Sequence, residues 1–281
     1  VYLYSADLIN RFVGLVCLLW LVSTAGTAQQ VELRGQVTDA VGGAGIAYVN
    51  IGLPAKNIGT VSNMQGEFAL RLNDTHADDT LLFSCIGYES LFVPVSVLRE
   101  LELPLVMQRK QMALPEVVIK PRKTRERFLG HFTQSNIVQA GFSENVLGKE
   151  CGVLIQSKKP ALLEEVKINF GKVSYDSIFF RLNIYQQLPD GSFEPAIAAP
   201  IYLAYSKYEL LEPLSINLKT LDLQLSGSFM ISVEYIRDMG PGILYFKSKL
   251  NGSSYIRETS QGKWVKIPLG LSIGVFAQVS K

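Results

Sequence analysis

The chain is built from short segments in which apolar and polar residues alternate, separated by turn residues. In E-F-A-L-R-L, Phe68, Leu70 and Leu72 alternate with Glu67, Ala69 and Arg71, the period of two that marks a half-buried strand. A looser version runs from Val31 to Met107 through V-E-L-R-G-Q-V-T-D, I-A-Y-V-N-I-G-L, N-I-G-T-V-S, T-L-L-F-S-C-I, E-S-L-F-V-P-V and L-E-L-P-L-V-M. In the first of these, Val31, Leu33 and Val37 lie near one face, with a break at Gly35. No window carries a helical stripe, and short strands at this spacing predict a β-sandwich over residues 29–108.

The rhythm returns from Cys151. S-I-F-F-R-L-N-I-Y sets Ile178, Phe180, Leu182 and Ile184 on one face and Phe179, Arg181, Asn183 and Tyr185 on the other. Asp190-Gly191, Gly240-Pro241-Gly242 and Asn251-Gly252 are strong turn signals. Further strands are expected in F-M-I-S-V-E-Y-I, I-L-Y-F-K-S-K-L, S-Y-I-R-E-T and W-V-K-I. Roughly eight to ten strands over residues 151–281 predict a second sandwich, jelly-roll-like. The fold class is therefore all-β with two β-sandwich domains. Residues 109–150 between them are expected to be a basic linker and spacer, containing one short strand, P-E-V-V-I-K.

The N-terminus is of another kind. Phe12 to Val22 is an unbroken apolar run of 11 residues, short of the roughly 20 that span a bilayer. Arg11 precedes it and S-T-A-G-T-A-Q-Q comes after it, although Asp7 lies where such leaders are usually basic. This predicts a secretory signal peptide over residues 1–28, cleaved after Ala28. The expected destination is export to the periplasm, outer membrane or cell surface, with no transmembrane span after cleavage. Cys17 would leave with the leader. Export permits a disulfide between the remaining Cys85 and Cys151, but they fall in different predicted domains, and Cys85 reads as a small apolar strand residue.

Charge excludes one class of partner. The 27 Lys+Arg against 25 Asp+Glu give a formal +2, no footprint for nucleic acid. Residues 29–108 hold 4 basic and 9 acidic residues, whereas 109–127 hold 7 basic and 2 acidic. A solvated linker is favoured for that basic run over a patch for anionic lipid or polysaccharide.

Catalytic signals are weak. Gly270 to Gly274, G-L-S-I-G, fits the nucleophile elbow but lacks the strand-to-helix context and the downstream acid and His that the elbow requires. Two histidines, His76 and His131, do not furnish a catalytic zinc site, and no calcium loop is present. No catalytic, metal or cofactor-binding residue is assigned, and no cofactor is expected. The second unit is rich in aromatic residues. Tyr202, Tyr205, Tyr235, Tyr245 and Trp264 are candidates for stacking on a ligand, against the usual role of such residues in cross-strand pairs and cores. The partners considered are a glycan, a peptide or another envelope protein.

G-Q-V-T-D (35–39), A-Y-V-N-I (47–51), G-T-V-S-N-M-Q-G-E-F (59–68) and S-C-I-G-Y-E (84–89) match a known pattern in order and spacing. The first unit resembles the carboxypeptidase-regulatory-like domain, a transthyretin-like (prealbumin-like) β-sandwich common in exported proteins of Bacteroidota. Asn63 stands where that family usually has Asp. It keeps the turn-forming hydrogen bond but drops the charge, which argues against ion binding there. L-P-E-V-V-I-K (114–120) is similar to the segment after this domain in TonB-dependent receptors, whose plug and barrel would need a much longer chain. The second unit, through D-S-I-F-F-R-L-N-I-Y and R-E-T-S-Q-G-K-W-V-K-I-P-L-G, resembles the C-terminal part of stand-alone two-domain members. In peptidases this domain lies beside the catalytic domain and supplies no zinc ligand. The resemblance therefore implies fold and export, and a structural or binding module of the cell envelope. Glycan or peptide binding by the second sandwich is the alternative, and peptidase activity comes last.

Overall fold

The computed structural model describes residues 30–100, 104–110 and 123–280. The expected signal peptide and the P-E-V-V-I-K strand lie outside the described residues. The first strands are β1 (Gln30–Asp39), β2 (Asn50–Leu53), β3 (Ile58–Val61), β4 (Glu67–Asn73), β5 (Thr80–Ser84), β6 (Leu91–Pro94) and β7 (Leu105–Met107), with helix α1 (Val95–Glu100) before β7. β4 shows the alternation its sequence predicts: Phe68, Leu70 and Leu72 are buried while Glu67, Ala69 and Arg71 are exposed. β1 pairs antiparallel with β4 from Gln30↔Asn73 to Gln36↔Glu67, then runs parallel to β7 from Val37↔Leu105 to Asp39↔Met107. A second sheet has the order β3-β2-β5-β6. Leu33, Val37 and Phe68 from the first sheet meet Ile51, Leu81 and Phe83 from the second in one core. Phe68 and Phe83 touch edge to face at 5.6 Å.

Helix α1 is absent from the sequence pattern. Pro94 cannot continue donating to a ladder, and the chain turns there with the Val95 amide donating to the Asp79 carbonyl at 2.8 Å. Val95 and Leu98, three apart, then supply the buried face of a helix of 6 residues, too short for a periodicity signal.

The remaining strands are β8 (Thr124–Gly130), β9 (Val138–Phe142), β10 (Glu150–Ile168), β11 (Phe170–Val173), β12 (Ser177–Gln187), β13 (Phe193–Pro195) and β14 (Ile201–Ser206), then β15 (Leu214–Asn217), β16 (Gln224–Tyr235), β17 (Leu244–Lys249), β18 (Ser254–Arg257), β19 (Val265–Ile267), β20 (Gly270–Leu271) and β21 (Ile273–Ser280). A 10-stranded sheet has β13-β12-β16-β10-β18-β19 as its spine. β14 joins it on β12, β15 and β21 join on β10, and β8 joins on β21. A smaller sheet, β11-β17-β20 with β9 on β17, packs against it, and Phe142, Phe170 and Phe246 of the small sheet share a core with Phe180 and Phe229 of the large one.

The stretch 128–150, expected as a spacer, instead contains the end of β8 and all of β9. Neither strand has a clean alternation, because no residue of β8 is fully buried and only Phe142 of β9 is. The described residues are thus almost entirely β, in two separable sets of sheets.

Candidate functional site

The second set meets the first through the β12 face that its sequence marks as wet. Ile178, Phe180, Leu182 and Ile184 enter the core as expected. Arg181 and Asn183, on the other face, are only 2% and 1% exposed. Register explains what they meet. Arg181 lies opposite Glu234 on β16, Glu234 opposite Glu150 on β10, and Glu150 opposite Arg257 on β18. Four charges therefore form a row across four strands.

The row is closely hydrogen-bonded. Arg181 Nε and Nη2 donate to Glu234 Oε2 at 3.1 and 2.7 Å. Asn183 Nδ2 donates to Glu234 Oε2 at 2.7 Å and to Glu150 Oε1 at 2.9 Å. The Ser232 hydroxyl and Arg257 Nη2 both donate to Glu150. Burial works against the Arg181 charge, but the Glu234 carboxylate more than offsets it and holds the guanidinium protonated. Burial pushes the Glu150 carboxyl above its ordinary range, with Arg257 opposing that shift and Glu234 reinforcing it. Charges this deep are costly unless paired, so each member requires the others.

Arg181 also reaches out of its own sheet. Nη1 donates to the Tyr48 carbonyl at 2.9 Å and Nη2 to Asn50 Oδ1 at 2.8 Å. Both acceptors belong to the A-Y-V-N-I segment of the first set. The loop after β18 adds four bonds. Ser260 Oγ donates to Asn50 Oδ1 at 3.4 Å, Gln261 Nε2 to Ser84 Oγ at 2.8 Å, the Ala55 amide to the Gln261 carbonyl at 2.9 Å, and the Lys263 amide to Asn57 Oδ1 at 3.1 Å. Gly52 and Gly59 lie against the Ser260 carbonyl. A Cβ on Gly52 would come within 2.5 Å of that oxygen, and one on Gly59 would overlap it. Glycine at these positions lets the second set approach the β2–β3 hairpin.

The motif residues of the first set have a structural task. Asp39 Oδ1 accepts from the Val41 amide at 2.8 Å, and Oδ2 accepts from Tyr88 Oη at 2.9 Å and Arg109 Nε at 2.8 Å. G-x-V-x-D and I-G-Y are therefore joined at one buried carboxylate. The Arg109 guanidinium and the Val41 amide hold that carboxyl below its ordinary 3.8. The unfolded chain then binds more protons near pH 4, so this stabilisation is present above the unfolded value and lost as pH falls through the folded one. Asp39→Asn is expected to lower the melting temperature at pH 7 and to flatten its decline between pH 5 and 3, read by thermal denaturation across that range.

The five aromatic candidates are not brought together. Tyr235 is fully buried, with its hydroxyl bonded to Asn145 and accepting the Met239 amide at 3.0 Å, so it offers no ring face to a ligand. Tyr205 is half-buried against the same core, and Tyr245 is half-buried on β17 in the smaller sheet. Tyr202, 38% exposed, stacks on Phe179 at 5.3 Å and meets Tyr48 edge-on at 5.5 Å. Trp264 lies beyond the other end of the charge row, 4.9 Å from the Arg257 guanidinium and 6.2 Å from Phe193. Two of the five thus flank the junction between the sets, and three lie elsewhere. The row itself is not apparent from alternation alone. Its visible trace is a lone acid, Glu234, inside the apolar run F-M-I-S-V-E-Y-I.

The residues weighed for catalysis have other roles. Ser272, the central residue of G-L-S-I-G, is fully buried, and its Oγ accepts the Thr133 amide at 3.0 Å. His76 Nδ1 lies 2.7 Å from Asp79, which also pairs with Lys56 at 2.7 Å. His131 Nε2 is 3.1 Å from the Ser253 carbonyl, and burial lowers its pKa. Cys85 and Cys151 are free, with burial raising both thiols. Among the described residues no group of three His, Cys, Asp or Glu side chains could hold a metal ion, and no helix is long and apolar enough to cross a membrane.

Residues 33–119 match the model of the CarboxypepD_reg-like domain. The match takes in β2 to β7 and most of β1, including both sheets of the first set. The protein therefore carries an N-terminal domain of a regulatory, non-catalytic type. No curated protein matches the chain.

Proposed function

We propose that this protein is a non-catalytic, exported cell-envelope protein that acts as a structural or binding module. In this reading residues 29–108 form a transthyretin-like sandwich, and after it comes a jelly-roll-like sandwich that takes in β8 and β9 as well as residues 151–281. The arrangement is that of stand-alone two-domain proteins of Bacteroidota, placed in the periplasm or at the outer membrane. The observation that carries the proposal is the Arg181 bridge. A regulatory-type domain is bound to its neighbour through buried bonds to Tyr48 and Asn50, which suits a fixed accessory unit. Export rests on the apolar run Phe12–Val22 and its small-residue exit.

Expression of the whole chain in a Gram-negative host, with fractionation and N-terminal sequencing, tests this reading. A mature chain beginning at Gln29 in the envelope fractions is expected, without chelator-sensitive peptidase turnover. An unprocessed cytoplasmic chain would overturn the export, and turnover abolished by His76→Ala would overturn the non-catalytic reading. A second reading, glycan or peptide binding by the second sandwich, is supported by the exposed ring of Tyr202. The enclosed Tyr235 has no part in it.

A further inference from the structure

A cavity of ≈ 290 Å³ opens beside the charge row, between the two sets of sheets. Its size is at the lower end of small-molecule sites. Its wall combines the apolar side chains of Leu82, Ile86, Ile197 and Phe193 with Tyr185 and Arg257, and Phe193 meets the Tyr185 ring at 6.3 Å. The charged side chains on its wall are Lys110, Arg181, Arg257 and Glu194. The carboxylates that pair with the two arginines, Glu234 and Glu150, do not line it.

The wall has hydrogen-bond donors to spare. Each nitrogen of Arg181 already has an acceptor, and Lys110 Nζ is held by Glu194 at 2.7 Å. Arg257 is only 9% exposed, yet among the described residues its one hydrogen bond is from Nη2 to Glu150, and its buried Nε has no partner there. The Trp264 ring lies 4.9 Å from the guanidinium carbon, within reach of a cation–π contact. The Tyr185 hydroxyl likewise makes no hydrogen bond among the described residues. Burial and the nearby Glu150 carboxylate raise its pKa well above the ordinary value, so it remains a donor at any physiological pH. A buried donor without an acceptor, as at Arg257 Nε, is uncommon in folded proteins, and an arginine beside a phenol is suited to a carboxylate.

We propose that this cleft binds a carboxylate with a short apolar tail, the head on Arg257 and Tyr185 and the tail against Ile86, Ile197 and Phe193. The chemistry is common to a free aryl or alkyl acid and to the C-terminus of a peptide. The proposal rests on the cleft and stands whether or not the protein is exported.

Calorimetric titration of the full chain with 3-phenylpropanoate and with N-acetylphenylalanine, each against its primary amide, tests it. Trp264 fluorescence serves as a second readout. The first acid represents the free-acid source and the second a chain terminus. Saturable binding of at least one acid is expected, with its amide weaker by about tenfold or more, since a charged pair is replaced by a neutral one. Tyr185→Phe, which keeps the ring, is expected to weaken the acid by about threefold to tenfold while leaving the melting temperature close to that of the parent. Absence of saturable binding by either acid overturns the proposal. So does equal binding of acid and amide, or unchanged affinity in a well-folded Tyr185→Phe protein.

Discussion

Arg181→Met is expected to lower the melting temperature by roughly 6–20 °C. Removing one partner of a buried ion pair costs about 3–5 kcal/mol, and a chain of this size loses about 2–4 °C per kcal/mol. The cost is high because Arg181 serves four acceptor contacts on three residues, Glu234, Asn50 and Tyr48. Without it, Glu234 is left fully buried with only Asn183 donating to its Oε2, the Tyr48 carbonyl of the first set loses its Arg181 donor, and Asn50 Oδ1 keeps only Ser260 Oγ at 3.4 Å. Thermal denaturation monitored by circular dichroism reads the shift. Adding Glu234→Gln to Arg181→Met is expected to recover part of the loss, because the uncompensated charge is then gone. A single variant as stable as the parent would mean that the row does not hold the sets together.

Gly66→Val is expected to abolish or severely reduce soluble folded protein. Gly66 has φ +79°, a region that costs a residue bearing Cβ about 1–3 kcal/mol and costs a β-branched one more. Its Cβ would also overlap the Val37 carbonyl and approach the Ile46 amide nitrogen to 2.9 Å. The turn leaves no slack: Asn63 Oδ1 accepts from both the Gln65 and Glu67 amides at 2.9 Å, and the Val37 amide donates to the Gly66 carbonyl at 2.9 Å. Gly66→Ala should fall between the two, with the same strain and a smaller side chain. Soluble yield and melting temperature measure both variants, and a Gly66→Val protein with parental stability would refute this account of the turn. G-T-V-S-N-M-Q-G-E-F is thus a stretch whose residues shape a hairpin and its docking surface, through Asn63 and Gly66 on one side and Gly59 against Ser260 on the other.

Legibility in the sequence tracks burial. β4 was readable because one face is core and the other water, and the inward face of β12 for the same reason. The outward face of β12 was not, because Arg181 and Asn183 look like solvent-facing residues until a second set of sheets covers them. Glu150, Glu234 and Arg257 lie on three other strands, and only the registers of β10, β16 and β18 place them in line. β8 and α1 were hidden differently. β8 has no fully buried residue, and α1 is too short to show a period. Tyr235 shows the limit of reading aromatics by type, since ring count does not reveal which sheet face is enclosed.

The central claim is that the regulatory-type domain and its neighbour form one docked body through the buried row. Differential scanning calorimetry of the mature protein at pH 7 tests it most directly. The account predicts a single transition with equal calorimetric and van't Hoff enthalpies. Two resolved transitions in the parent protein, one for each set of sheets, would contradict it.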